Sequence, residues 1–194
     1  MKIKDIKPWE WAVAAVPLLL AIVRVVLAVT GDTALDNSTT ASRVYFIVAS
    51  VLYNAVVLWA LWCIYRMARW QERKSTVFLV FFIVMLLDAI YALSQQFLPI
   101  EVKTATAVTA AFGFVMFVAG IVATVRLFHD GVKPLGTIMV LYIVVPLVIN
   151  IMLPIVMRAY SPVASALVGV LSALLVSLMF LFRNAPGEMD DDDE

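Results

Sequence analysis

Two ionisable residues lie inside long apolar stretches of this sequence. Arg24 stands within residues 9–30 and Asp88 within residues 76–98. On insertion scales a charged group at membrane depth costs at least about 2.5 kcal/mol, so such groups usually face the interior of a helix bundle and find a partner there. We therefore expect Arg24 and Asp88 to form an ion pair, provided that their helices are neighbours.

Uncharged polar residues occur at a similar predicted depth. In the third apolar stretch, Asp88, Tyr91 and Gln95 follow the spacing i, i+3, i+7, which places them on one face of a helix. Asn54 and Asn150 occupy comparable positions in the second and fifth stretches. The candidate ligand-binding residues are therefore Arg24, Asn54, Asp88, Tyr91, Gln95 and Asn150.

Two interpretations of these residues compete. They can be packing contacts between helices, with each hydrogen bond worth about 0.6–2 kcal/mol. They can instead line a cavity that opens to the outside and binds a small polar or charged solute. Their collection in one half of the predicted bundle keeps the cavity open as an alternative to packing contacts. Pro146, one turn before Asn150, predicts a kink of the fifth helix, and broken helices often border the binding sites of transporters.

The elements that must position these residues are transmembrane helices. The chain of 194 residues is 64% hydrophobic and 14% charged, whereas soluble domains are about 45–50% apolar and about 25% charged. A spanning helix needs about 20 predominantly apolar residues. Six stretches qualify, and they are Trp9–Thr30, Val44–Ile64, Thr76–Leu98, Ala105–Phe128, Thr137–Met157 and Val163–Phe182. The predicted fold is an all-α integral membrane protein, a compact bundle of six transmembrane helices.

This bundle is predicted to be a single domain over residues 1–185, with both termini on the cytoplasmic side. Ten lysines and arginines fall on the proposed inner side and three on the outer side, which is the bias expected of inner loops. The first stretch is too long for a cleaved signal peptide and contains Arg24, so we expect it to be retained as a span. The acidic tail, residues 186–194, is expected to be cytoplasmic and disordered, and the plasma membrane is the expected location.

Small residues recur at every fourth position of the sixth predicted helix. Such a stripe allows another helix backbone to approach closely, within the bundle or on a partner subunit. The predicted helix-packing residues are Ser165, Gly169, Ala173 and Ser177.

Several functions are made improbable by the residues that the sequence lacks. It has one cysteine, Cys63, and one histidine, His129, so it forms no intrachain disulfide and no metal site of several imidazoles. It has no Gly-x-Ser-x-Gly segment and no phosphate-binding glycine loop. We expect no catalytic residues, no cofactor and no nucleic-acid partner, and enzyme activity is the less favoured possibility.

Two functions remain open. The first is solute binding or transport through an outward-facing polar site. In outline the predicted architecture resembles the substrate-binding membrane subunits of energy-coupling-factor vitamin transporters, in length, helix number, orientation and depth of the site, although no motif is shared. That resemblance implies a small-molecule ligand. The second is a non-catalytic assembly or regulatory subunit, a homo-oligomer or a partner of another membrane chain, whose polar residues are packing contacts.

Overall fold

The protein is all-helical over the residues that the computed structural model describes, which are 6–30, 40–71, 75–98, 101–157 and 162–183. Within these ranges the chain forms six α-helices. They are α1 Pro8–Thr30, α2 Thr40–Trp70, α3 Thr76–Ser94, α4 Val102–His129, α5 Lys133–Met157 and α6 Pro162–Phe182.

Four of the helices, α1 to α4, are long and apolar enough to cross a membrane. Within the most apolar part of each, only 17–28% of the residues are buried inside the bundle. Valine, leucine and tryptophan side chains therefore cover much of the outside, as in an integral membrane protein whose solvent is lipid. The described apolar portions of α5 and α6, Lys133–Val148 and Ala166–Phe182, are shorter.

The six helices form a closed ring in chain order. Each helix contacts the next, and α6 returns to contact α1 in the most extensive interface of the bundle. One further contact, between α2 and α6, crosses this ring. This contact divides the ring into two smaller rings that share α2 and α6. One consists of α1, α2 and α6, and the other of the five helices α2 to α6.

Helices α1 and α6 pack against each other in antiparallel orientation. Near the start of α1, the Glu10 carboxylate forms an ion pair with Arg183, just beyond the end of α6. One turn further along α1, the Ser177 hydroxyl lies 2.6 Å from the carbonyl oxygen of Ala14, to which it can donate. This hydrogen bond requires close approach of the two backbones, which the small Ala14 and Ala173 side chains permit.

The closely packed core occupies the half of the bundle at which α1 begins and α6 ends. It contains the second half of α2, the first half of α3 and the facing parts of α4, α5 and α6. The opposite half contains open space between the helices. The largest fully buried side chains of the core are Phe78, Phe81, Phe180, Leu61, Ile64, Leu127, Leu135, Met139, Met179, Val57, Val132 and Val176.

A Schellman motif ends α4 and turns the chain into α5. The Val132 N–H donates to the Leu127 carbonyl at 2.9 Å and the Gly131 N–H to the Phe128 carbonyl at 3.2 Å. Gly131 has φ 75°, the left-handed conformation that this motif requires. Val132 and Leu127 are both 1% exposed and form the apolar contact that accompanies the motif.

Substitution of Gly131 by alanine should therefore lower the free energy of unfolding by about 1 kcal/mol, because a Cβ is disfavoured at positive φ. Equilibrium unfolding in mixed micelles, followed by circular dichroism, measures the difference. Gly113→Ala is a suitable control, since Gly113 lies inside α4 and a Cβ there would meet no neighbouring atom within 4 Å. Equal stability of the two variants would contradict the role of Gly131.

The ends of two helices differ from the predicted spans. Helix α2 continues six residues beyond the predicted end at Ile64, so Arg66 and Arg69 lie on its last turns and not in a loop. Helix α3 ends at Ser94, four residues before the predicted end. Hydropathy marks where a chain enters lipid, whereas a helix continues or ends according to its own backbone hydrogen bonds.

Candidate functional site

A cavity of about 340 Å³ lies between α1, α2 and α6, and we call it the Arg24 cavity. Among the described residues that line it, the charged one is Arg24, and Tyr45, Ser50 and Asn54 contribute further polar groups. A Cβ added to Gly169, on the opposite wall, would meet no neighbouring atom within 4 Å. The absence of a side chain at Gly169 therefore leaves this space open.

The walls of the Arg24 cavity hold their positions through contacts of their own. The Tyr45 hydroxyl donates to the Leu20 carbonyl at 3.0 Å and so joins α2 to α1. Pro17 is buried inside α1 and lines the same cavity. Because proline has no N–H, the Val13 carbonyl loses its usual partner within the helix. Arg24 itself is exposed, so its guanidinium is accessible to a molecule that enters.

A second cavity of about 340 Å³ lies within the group of five helices, and we call it the Asp88 cavity. Asp88 on α3 is the charged residue among the described residues that line it. Tyr142 and Pro146 line it from α5, and Gly113 lines it from α4. A Cβ on Gly113 would meet no neighbouring atom within 4 Å, so a larger side chain has room at this edge of the cavity.

Three residues line both cavities: Tyr53 and Asn54 of α2, and Ser172 of α6. We call these three residues the shared wall. They lie where α2 contacts α6 across the ring. This contact divides the open half of the bundle, opposite the core, into two compartments, one for each cavity. The Asn54 amide nitrogen donates to the Ser50 carbonyl at 2.9 Å, within its own helix. Its bonds to the Ser50 carbonyl and hydroxyl both use the amide nitrogen and leave the amide oxygen of Asn54 as a further acceptor.

The predicted ion pair between Arg24 and Asp88 is wrong. In the ranges that the structure describes, α1 and α3 make no contact, and the two residues line different cavities. The condition that their helices be neighbours is not met, because α2 and α6 lie between them. Each of the two charges therefore faces a cavity without the other.

The remaining predicted site residues lie elsewhere or outside the description. The Tyr91 ring packs against Phe112 with centroids 5.7 Å apart, and its buried hydroxyl has no hydrogen-bond partner among the described residues. Gln95 follows the end of α3, where its N–H donates to the Tyr91 carbonyl at 3.1 Å. Neither residue lines the two cavities. The side chain of Asn150 lies outside the described part of the structure.

The stripe of small residues on α6 has two environments. Ala173 and Ser177 are buried against α1, where the backbones approach closely. Gly169, two turns earlier than Ser177, faces the open space of the Arg24 cavity. The side chain of Ser165 is outside the described residues. Within the described part, one stripe thus both joins α6 to α1 and opens the cavity between them.

No family model, no curated protein and no solved structure matches this chain. Its function must therefore be argued from its own residues.

Sequence reasoning missed several residues that the structure brings to these cavities, Tyr53, Tyr142 and Ser172 among them. The phenol groups of Tyr53 and Tyr142 interact with each other, and Tyr142 is within electrostatic range of Asp88. Two sequence signals were available, since Tyr53 precedes Asn54 and Tyr142 lies one turn before Pro146. Ser172 is next to the small-residue stripe and shares no periodicity with the predicted site residues.

Proposed function

We propose that this protein binds a small anionic solute in the Arg24 cavity, as a transport-related membrane protein. The observation that carries the proposal is a cavity of about 340 Å³ in which one guanidinium stands beside neutral hydrogen-bonding groups. A guanidinium offers up to five N–H donors and recognises carboxylate or phosphate groups in pairs of hydrogen bonds. Ser50 and Asn54 can bind the polar remainder of the solute, and the Tyr45 hydroxyl, whose proton is donated to Leu20, can accept a hydrogen bond from it.

The alternative, that the polar residues are only packing contacts, has less support. The hydrogen bonds of Asn54 remain within its own helix, and Arg24 is not paired with Asp88. Two hydrogen bonds that do join helices come from Ser177 and from Tyr45 of the cavity wall, and both donate to backbone carbonyls of α1. Groups that line space without bonding across it favour a ligand over interhelical contacts.

The proposal includes a membrane topology. Six spans with both termini in the cytoplasm would open the Arg24 cavity to the outside of the plasma membrane. In support, α5 has 25 residues and α6 has 21, which correspond to about 38 and 32 Å of helix, enough for a hydrocarbon core of about 30 Å. Trp9, Trp11 and Trp70 are all exposed near the end of the bundle proposed to be inner, as side chains of an interfacial belt are.

The test is thermal unfolding of the full chain in detergent with a panel of small carboxylates and phosphates. A ligand at ~100 times its dissociation constant stabilises the folded state by about 2.7 kcal/mol, which corresponds to a rise in Tm of roughly 5–10 °C for a chain of this size. We expect at least one anion to produce this rise in the wild type, and Arg24→Gln to abolish it.

The matched control is Arg43→Gln. Arg43 is also an exposed arginine, on the first turn of α2, and it does not line the Arg24 cavity. It should leave the ligand response unchanged. If no anion stabilises the wild type, or if folded Arg24→Gln responds as the wild type does, the proposal is wrong and an assembly role becomes the better explanation.

A further inference from the structure

The Asp88 carboxylate lies in an apolar helix without a compensating charge. Within the described residues it forms no ion pair, and its neighbours on α3 are the apolar side chains of a membrane span. A carboxylate in such surroundings is costly unless a cation or a set of donors balances it. Arg24, the predicted counter-ion, lies in the other compartment.

Side-chain oxygen atoms from three further helices line the Asp88 cavity, beside a larger number of apolar side chains. Tyr53 and Asn54 face the cavity from α2, Tyr142 from α5 and Ser172 from α6. The α4 residues that line it, Gly113, Met116 and Phe117, carry no titratable group. The donation from Asn54 to Ser50 uses the amide nitrogen and leaves the amide oxygen available as a ligand. The cavity thus combines one carboxylate with several neutral oxygens.

This donor set has the chemistry of a site for a hard metal ion. Oxygen atoms of carboxylates, amides and hydroxyls are the ligands that such ions prefer. One carboxylate balances one positive charge, and the described residues contain no group of three or more acidic, histidine or cysteine side chains that would favour a divalent ion. A volume of about 340 Å³ can hold an ion together with several of its water molecules, at about 30 Å³ each.

We propose that the Asp88 cavity binds a monovalent metal cation, Na⁺, through the Asp88 carboxylate and neutral oxygens of the shared wall. Bound Na⁺ removes the uncompensated charge from the bundle. Because Tyr53, Asn54 and Ser172 also line the Arg24 cavity, occupation of one compartment changes the other. If the proposed solute binding is right, the factor by which Na⁺ changes the affinity for the anionic solute equals the factor by which the solute changes the affinity for Na⁺, as thermodynamic linkage requires. We expect the opposite charges of the two ligands to make both changes increases.

The site is tested with Na⁺ alone, so the result does not depend on the solute. The full chain in detergent is unfolded thermally in NaCl or in choline chloride at the same total ionic strength. We expect a saturable rise in Tm of about 5–10 °C with Na⁺ and none with choline. Asp88→Asn should lose the Na⁺ response. Glu101→Gln, which removes an exposed carboxylate at the start of α4, should keep it.

A second pair of variants decides the question if Asp88→Asn fails to fold. Gly113→Leu keeps the carboxylate and fills the Asp88 cavity, so it should also abolish the Na⁺ response. Gly169→Leu fills only the Arg24 cavity, so it should keep the Na⁺ response and lose any anion response. Equal stabilisation by choline, stabilisation by acidification without any effect of Na⁺, or a Na⁺ response that survives in folded Gly113→Leu would each overturn the proposal.

Discussion

Arg183→Ala is expected to lower the free energy of unfolding by about 2–4 kcal/mol, since one side chain makes three kinds of contact. Arg183 is 4% exposed and forms an ion pair with Glu10. It also donates to the Phe180 carbonyl at 2.6 Å, and its guanidinium lies 4.0 Å from the centroid of the Phe180 ring. The substitution removes these contacts and leaves the Glu10 carboxylate without its counter-ion.

Equilibrium unfolding in mixed micelles, followed by circular dichroism, measures this loss. Arg66→Ala is the matched control, because Arg66 is an exposed arginine near the same end of the bundle. A surface substitution of this kind changes stability by about 0.5 kcal/mol or less. If the two variants were equally stable, the contacts of Arg183 would contribute nothing to the interface between α1 and α6.

Gly120→Leu should destabilise the bundle by about 3 kcal/mol or prevent folding, because Gly120 lies where α4 meets α5. A Cβ on Gly120 would lie 2.5 Å from Cδ1 and 3.1 Å from Cγ1 of Ile143, and 3.4 Å from the Phe81 ring. Overpacking of a filled core typically costs about 1–3 kcal/mol, and a leucine adds three more carbon atoms beyond the Cβ.

Gly113→Leu, two turns earlier on the same helix, provides the comparison. It introduces the same side chain beside the Asp88 cavity, where a Cβ would meet no neighbouring atom within 4 Å. In Na⁺-free buffer we expect it to fold and to be as stable as the wild type, or slightly more so, because glycine disfavours a helix interior. The fraction of folded protein after detergent extraction and the Tm compare the two variants. A similar loss of folded protein and of Tm in both variants would mean that the close contact of α4 with α5 does not determine which side chains this helix tolerates.

The general class of the fold was predictable from composition and hydropathy. The all-helical architecture is confirmed, with six helices over the described residues, of which α1 to α4 are long and apolar enough to cross a membrane. The length and apolar character of a span follow directly from the thickness of the hydrocarbon core, so the sequence carries this information locally. Orientation in the membrane stays a prediction.

The pairing of helices was not predictable in the same way. In a membrane the lipid-facing side of a helix is as apolar as its buried side, so hydropathy does not reveal which faces meet. The pairing of Arg24 with Asp88 was inferred from similar depth alone, and the contact of α2 with α6 separates their helices. The structure instead divides the predicted candidates between two compartments and places Asn54 on the wall that they share.

Arg183 illustrates a second limit of sequence reasoning. The prediction of orientation counted every basic residue at the end of a span equally, whatever its contacts. Arg183 is nevertheless buried and paired with Glu10, at the other end of the chain, whereas Arg66 and Arg69 are exposed. A contact between residues 173 positions apart has no local signature, because it depends on the closure of the whole ring.

The antiparallel contact of the first and last helices has a consequence for biosynthesis. When α1 enters the membrane, the residues that it packs against in α6 have not yet been translated. The Ala14 carbonyl and the Glu10 carboxylate cannot contact Ser177 and Arg183 until those residues, among the last described ones, have been synthesised. Helices α2 to α5 can associate earlier, in the order of synthesis, through their sequential contacts. Helix α6 must therefore be synthesised before the bundle can close, and a product that ends before α6 would leave α1 without its principal neighbour.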